Sequence, residues 1–344
     1  VRRGAHLALA FAALIVTIAP AVAGPWRVVN DVSVRPLASF RVGFPNETRF
    51  GALEWLGGLQ ISDAAGAIGG LSDLYTWNQG RSLLSLSDDG NWFTADIVSD
   101  DDGRPRSLTG AAVADLIPAN AKARDKDDVD SEGLAVRRRG DRFEAAVSFE
   151  ERHRIELFSG ALDPREIALK AGRPLPSPPP ELKTLRWSKG LEALAATPPG
   201  HVLGDALIGI AEWPRRGEDD MPGFIIGGAR PGLFHVKRRD DFDATSAAFL
   251  PGGDLLLLER RFSLLTGPGM RIRRIRAAEI VPGAIVDGAV LITANITQAI
   301  DNMEGLAVDT APDGSTILTV ISDDNRSLMQ RTLLLRFKLL DAAP

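Results

Sequence analysis

No cysteine occurs in the 344 residues, which excludes disulfides, thiolate metal sites and cysteine nucleophiles. Histidine is nearly as scarce: the chain has four, and only His153, His201 and His235 lie beyond the N-terminal segment. An H-E-x-x-H helix, a Walker A string and a Rossmann glycine string are all missing. So is the G-x-S-x-G elbow of serine hydrolases; the nearest string, Gly70-Leu71-Ser72-Asp73-Leu74, lacks the last glycine. Turn signals break the apolar runs every few residues, leaving no long stretch of 3.6-residue period and disfavouring a helical solenoid. Charge of one sign is lacking too. A net charge of -5 is too mild for a nucleic-acid binder and gives no membrane footprint.

One apolar run stands apart. Arg2 and Arg3 form a basic start, Leu7–Ile18 is apolar, and Ala21-Val22-Ala23 is a small-residue cleavage site before Gly24. Residues 1–23 are read as a secretory signal. The alternative is an N-terminal anchor, for which the run is short. The expectation is a periplasmic or secreted protein, with no stable membrane insertion once the signal is gone. Its loss takes the net charge from -5 to -7.

The remaining 24–344 are expected to form one domain and a monomer. With 44% hydrophobic and 25% charged residues, they suffice for a large core. Within them a pattern recurs: an acidic or polar turn, a short apolar strand, a hairpin, a second strand, then a charged cluster. Asp128–Arg154 is the clearest copy, with strands at Gly133–Val136 and Phe143–Phe149. The others begin at Gly69-Gly70-Leu71, Lys189-Gly190-Leu191-Glu192, Ala244-Thr245-Ser246-Ala247 and Asn302-Met303-Glu304-Gly305. Spacing supports the repeat: 60 residues from Glu132 to Glu192, 54 on to Ser246 and 58 on to Glu304. Repeats of this size built from short strands suggest an all-β fold, a single β-propeller. Five copies, with N-terminal strands completing a further blade beside Leu333–Leu339, predict six blades. Pro174–Pro180 is a stiff connector, and Arg215–Pro222 a charged surface loop.

Two acidic sets recur at strand ends. One opens the first strand of the repeat: Asp130, Glu132, Glu192, Glu304. The other closes the second: Asp88, Asp89, Glu150, Glu151, Glu212, Glu259, Asp323, Asp324. Carboxylates converging from several blades repel unless a cation or arginine compensates. Oxygen-only ligands suit a hard ion, so calcium is the candidate, with Asp130, Glu132, Glu192, Glu212, Glu259, Glu304 and Asp323 as its ligands. The competing reading is a set of exposed turn acids. Asp128–Gly133 mimics the start of an EF-hand loop, but Arg139 stands where that loop needs its bidentate Glu, so an EF-hand is rejected.

Basic residues accompany the second set: Arg152, His153, Arg154, Arg260, Arg261 and Arg326. Arg152, Arg260 and Arg326 are the candidates for holding an anionic substrate, unless they merely neutralise neighbouring acids. His153 is the one histidine placed to act as a base or anion contact, with Glu150 and Glu151 beside it as further catalytic candidates.

The strings DSEGLAV, FEERHRI, KGLEALA, NMEGLAV and ISDDN, in this order, resemble the phytase-like propeller family described as "esterase-like activity of phytase". The resemblance covers roughly Phe50 to Leu339. It implies an exported bacterial propeller hydrolysing a phosphoester or carboxylester. β-Propeller phytases, a different group, bind several calcium ions in an acidic channel, an analogy that supports calcium without giving a residue map. The fourth copy departs from the pattern, with Ser246-Ala247 in place of Glu-Gly. The reading is therefore an exported, calcium-assisted hydrolase of a small anionic ester; the alternative is a non-catalytic propeller binding a ligand or partner at its rim.

Overall fold

A computed structural model describes residues 25–119 and 125–340; the leader expected at Val1–Ala23 lies outside them. The described chain is almost entirely β. Short apolar runs bounded by glycine and aspartate turns pair antiparallel with their chain neighbours, giving five sheets that are the blades. The innermost strands, in order, are Leu71–Trp77, Ser131–Arg139, Leu191–Ala196, Asp243–Phe249 and Asn302–Thr310. Their partners are Ser82–Ser87, Arg142–Phe149, Ala206–Ala211, Leu255–Ser263 and Thr316–Asp323. Among the described residues no helix is long and apolar enough to cross a membrane.

Each blade is apolar on both faces because both faces are covered. Five buried clusters result, and each bridges two blades. Trp92 and Phe158 meet between blades one and two, Leu194 and Phe224 lie between two and three, and Ile208 and Leu257 between three and four. Leu258 and Leu318 join four to five, and Leu83 and Leu334 join one to five. That last cluster closes the ring.

The closure corrects the expected count from six blades to five. The fifth blade has only three strands at the C-terminal end: Asn302–Thr310, Thr316–Asp323 and Thr332–Leu339. The N-terminal strand Leu53–Asp63 supplies the fourth by pairing with Thr332–Leu339, and Val32–Pro36 adds outside it. The terminal strands thus complete the fifth copy rather than build another blade. Arg173–Pro174, at the start of the proline-rich connector, forms the outer edge of blade two.

Every innermost strand carries a register shift near its start. A bulge leaves one residue without a cross-strand partner and re-aims it. The residues so displaced are Ser72, Glu132, Glu192, Thr245 and Glu304. This moves the expected alignment of the fourth copy, where Thr245 rather than Ser246 is the counterpart of the glutamates; in the first copy that counterpart is Ser72.

Candidate functional site: an acidic channel mouth

The residues that follow the register shift on the second strands are Asp88, Glu150, Glu212, Arg260 and Asp323. Together with the bulge residues they form two tiers at one end of the central channel. Glu132, Glu192, Glu304, Asp88, Glu150, Glu212, Asp323 and nearby Asp130 supply negative charge; Arg260, Lys189 and Lys126 supply the opposing charge. Arg260 Nε lies 2.8 Å from Glu304 Oε1, and its Nη2 donates to Glu212 Oε1 at 3.2 Å. Lys189 Nζ reaches Glu212 Oε2 at 2.8 Å. Lys126 Nζ bridges Asp88 at 3.3 Å and Asp130 at 3.6 Å.

Acids outnumber cations, and the excess is buried. Burial, then Glu192 and further carboxylates, hold Glu132 well above the usual range; burial, Glu212 and Glu304 do the same to Glu192. Glu304 is pushed up to about 8 by burial, with Arg260 pulling the other way. Burial raises Glu150 to about 7 against a hydrogen bond from the Gly190 amide. Asp323 rises to about 7 and Asp130 to about 6, again chiefly by burial. Such a constellation holds protons or holds a cation.

Two groups of carboxylate oxygens converge within the mouth. Glu150, Glu192 and Glu212 each place a carboxylate oxygen within 4.8 Å of the others, as do Asp130, Glu150 and Glu151. Glu304 Oε2 and Asp88 Oδ1 are buried without a hydrogen-bond partner among the described residues. Carboxylates alone, with no imidazole or thiolate in the group, match a hard cation such as calcium.

Not every expected residue joins this mouth. Glu259 lies one residue off the tier, on the opposite face of its strand. It is fully buried, bound by Arg271 Nε at 2.8 Å and by Arg273 Nη2 at 2.5 Å, so it is separated from the other metal candidates. Arg260 takes the place expected of an acid. Arg152 is exposed and paired with Asp128 away from the tiers, whereas Arg326 pairs with Asp89 at 2.9 Å on the outer lip and from there its charge acts on Asp88. His153 lines a flanking cavity of about 430 Å³ with Glu151, Arg152, Lys183, Leu185 and Trp187. Its Nε2 lies 2.9 Å from the Arg186 carbonyl oxygen, and burial lowers its affinity for a proton.

Sequence reasoning missed Asp73. This residue follows the bulge in blade one and lies fully buried at the channel's centre. Its Oδ1 accepts from Ser246 Oγ and from Leu74 N, both at 2.8 Å, and its Oδ2 from Leu134 N at 2.7 Å. Ser246 Oγ in turn accepts from Leu306 N at 3.0 Å. Four blades meet in this knot. Lys126 and Lys189 were also overlooked; the only signal was their position just before the acidic strands.

Several solved structures are similar to the chain at low identity. A thermostable family-43 glycoside hydrolase matches with TM-score 0.45 and 10% identity over 78% of this chain and 90% of its own. A protein of unknown function from Dyadobacter fermentans gives 0.42 and 11%, covering 92% of this chain and 94% of that one. The exo-β-1,3-galactanase of Phanerochaete chrysosporium gives 0.44 and 9%, covering 85% and 64%. A comparison with the curated proteins finds no match. The sequence pattern of one family spans 66–326, most of the blades and both carboxylate tiers, and by that match the chain belongs to the phytase-like family described as "esterase-like activity of phytase".

Proposed function

We propose that the acidic mouth binds calcium and that the protein is an exported hydrolase of a phosphoester or other small anionic ester. The observation that carries this reading is the convergence of Glu150, Glu192 and Glu212 beside the unpartnered, buried Glu304 Oε2. Glu132 and Asp130 extend the same wall, and Asp323 faces it from blade five. A bound divalent ion would polarise the ester oxygen and offset the charge of both substrate and site. The chain's own groups have distinct parts. Arg260, fixed between Glu212 and Glu304, holds those side chains in place and presents positive charge toward an anion in the mouth. Glu150 belongs to both oxygen groups, and its carboxylate is suited to accept a proton from attacking water. Arg152, Glu151 and His153 line the flanking cavity that would take the rest of the ester, and Arg326 stands at the far lip. Export is supported by the basic start and apolar run within residues 1–23.

One observation favours a second reading. Arg152 and Arg326 are already paired with Asp128 and Asp89, as on a rim that binds a ligand without reacting with it. Bound metal, melting temperature with and without a chelator, and turnover of aryl phosphates and aryl acetates separate the two. The hydrolase reading expects about one calcium per chain, a lower melting temperature after chelation, and calcium-dependent turnover lost in Glu150→Gln. Calcium without turnover on any ester leaves the binding protein; neither calcium nor turnover removes the proposal.

A further inference from the structure

The opposite mouth of the channel has a different chemistry. The knot of Asp73 and Ser246, 1% and 0% exposed, stands across the channel between the two ends. Beyond it the innermost strands of all five blades line a cavity of about 650 Å³, within the range of small-molecule sites. Its apolar floor is made by half-buried residues, one from each blade: Tyr75, Val136, Ala196, Phe249 and Val308. Where the first mouth gathers carboxylates, Asp205 is the one acid in this lining.

Polar groups interrupt this lining, Tyr75, Asp205 and Arg137 to Arg139 among them. Tyr75, the single tyrosine of the chain, has no hydrogen bond to its hydroxyl among the described residues. Burial and the Asp309 charge push its phenol up to about 12, while Arg138 acts in the other direction and so lies within electrostatic reach. Asp205 is taken up by Arg137 at 3.0 Å and by Arg139. Arg138 between them is exposed, donates only from Nε to the Gly140 carbonyl oxygen at 2.9 Å, and has no carboxylate partner among the described residues.

We propose that this second mouth is a binding site for a small amphipathic anion: an apolar body seated on this floor, with one carboxylate or sulfonate at Arg138 and the Tyr75 hydroxyl. Apolar burial supplies the affinity and the guanidinium the orientation. A neutral molecule of the same body fits the floor but gains nothing from Arg138. The site is independent of any cation at the acidic mouth.

The test uses the intact protein and two dyes of one shape: anilinonaphthalene sulfonate and its uncharged analogue N-phenylnaphthylamine. Both are expected to bind with a blue-shifted emission and 1:1 stoichiometry. Arg138→Gln should weaken the sulfonate about tenfold and leave the neutral dye unchanged. Ala196→Trp, at a half-buried position on the cavity wall, should abolish both, with an unaltered melting curve as the control for folding. Should that variant melt early, Ala248→Trp replaces it. No binding of either dye overturns the proposal. So does binding that survives the tryptophan in a folded variant, or an equal effect of Arg138→Gln on both dyes.

Discussion

Glu259 and Arg260 are adjacent in the chain, yet one is sealed inside blade four and the other stands in the acidic mouth. Successive side chains on a strand point to opposite faces, so the Glu-Arg-Arg string gives no hint which residue faces where. Reading the fourth copy one position out of register exchanges the two, which is why Glu259 looked like a ligand from sequence. The side chains of Glu259 and Arg273 are both 0% exposed. Removing Arg273 leaves the buried Glu259 with Arg271 alone, and Arg273→Met is expected to cost about 2–3 kcal/mol in urea denaturation while leaving calcium stoichiometry intact. Arg260→Met should act the other way. It removes a fixed cation from the tiers, so the rise in melting temperature on adding calcium should be larger than in the parent protein. An unchanged or smaller rise would mean that Arg260 does not compete with a bound ion for the carboxylates.

At the scale of the element, the Glu-Gly-Leu string was legible because each letter has a separate physical task. The glutamate is the bulge residue aimed into the channel. The glycine follows because the next innermost strand passes too close for a side chain: a Cβ on Gly133 would lie 2.4 Å from the Glu192 carbonyl oxygen, and one on Gly305 2.9 Å from Asp73 Cα. The leucine enters an inter-blade core. Blades one and four use Ser72-Asp73 and Thr245-Ser246 instead, and there the pattern was lost. Their polar side chains occupy the axial space that the glycines leave open, a role defined by partners far away in sequence. Asp73→Ala would leave the Leu74 and Leu134 amides and the Ser246 hydroxyl without their acceptor. At about 1–3 kcal/mol for each stranded donor, partly relieved by water, the expected loss is roughly 3–5 kcal/mol in equilibrium unfolding. A loss below about 1 kcal/mol would show that the knot does not hold the blades together.

For the whole molecule, blade number follows from counting strands rather than repeats: among the described residues four copies carry their own outer strands, and the fifth contributes three. The missing strand is borrowed from the N-terminal side, so ring closure and the shape of both mouths depend on Leu53–Asp63. The closed ring concentrates the carboxylates, and that sets how stability responds to pH. Glu304, Glu150, Asp323 and Asp130 hold protons up to about 8, 7, 7 and 6 when folded, against about 4 for carboxyls in an unfolded chain. Between those limits the folded state binds more protons than the unfolded one, so its stability falls as pH rises. The metal-free protein should therefore melt progressively earlier from about pH 5 to about pH 8. Calcium replaces those protons, so the fall should be shallower in its presence, and calorimetry in buffers of different ionisation enthalpy should detect proton release on calcium addition near neutrality. A metal-free melting temperature that stays level across this range would mean the carboxylates are solvated or already compensated, and the electrostatic case for a cation at the mouth would fall with it.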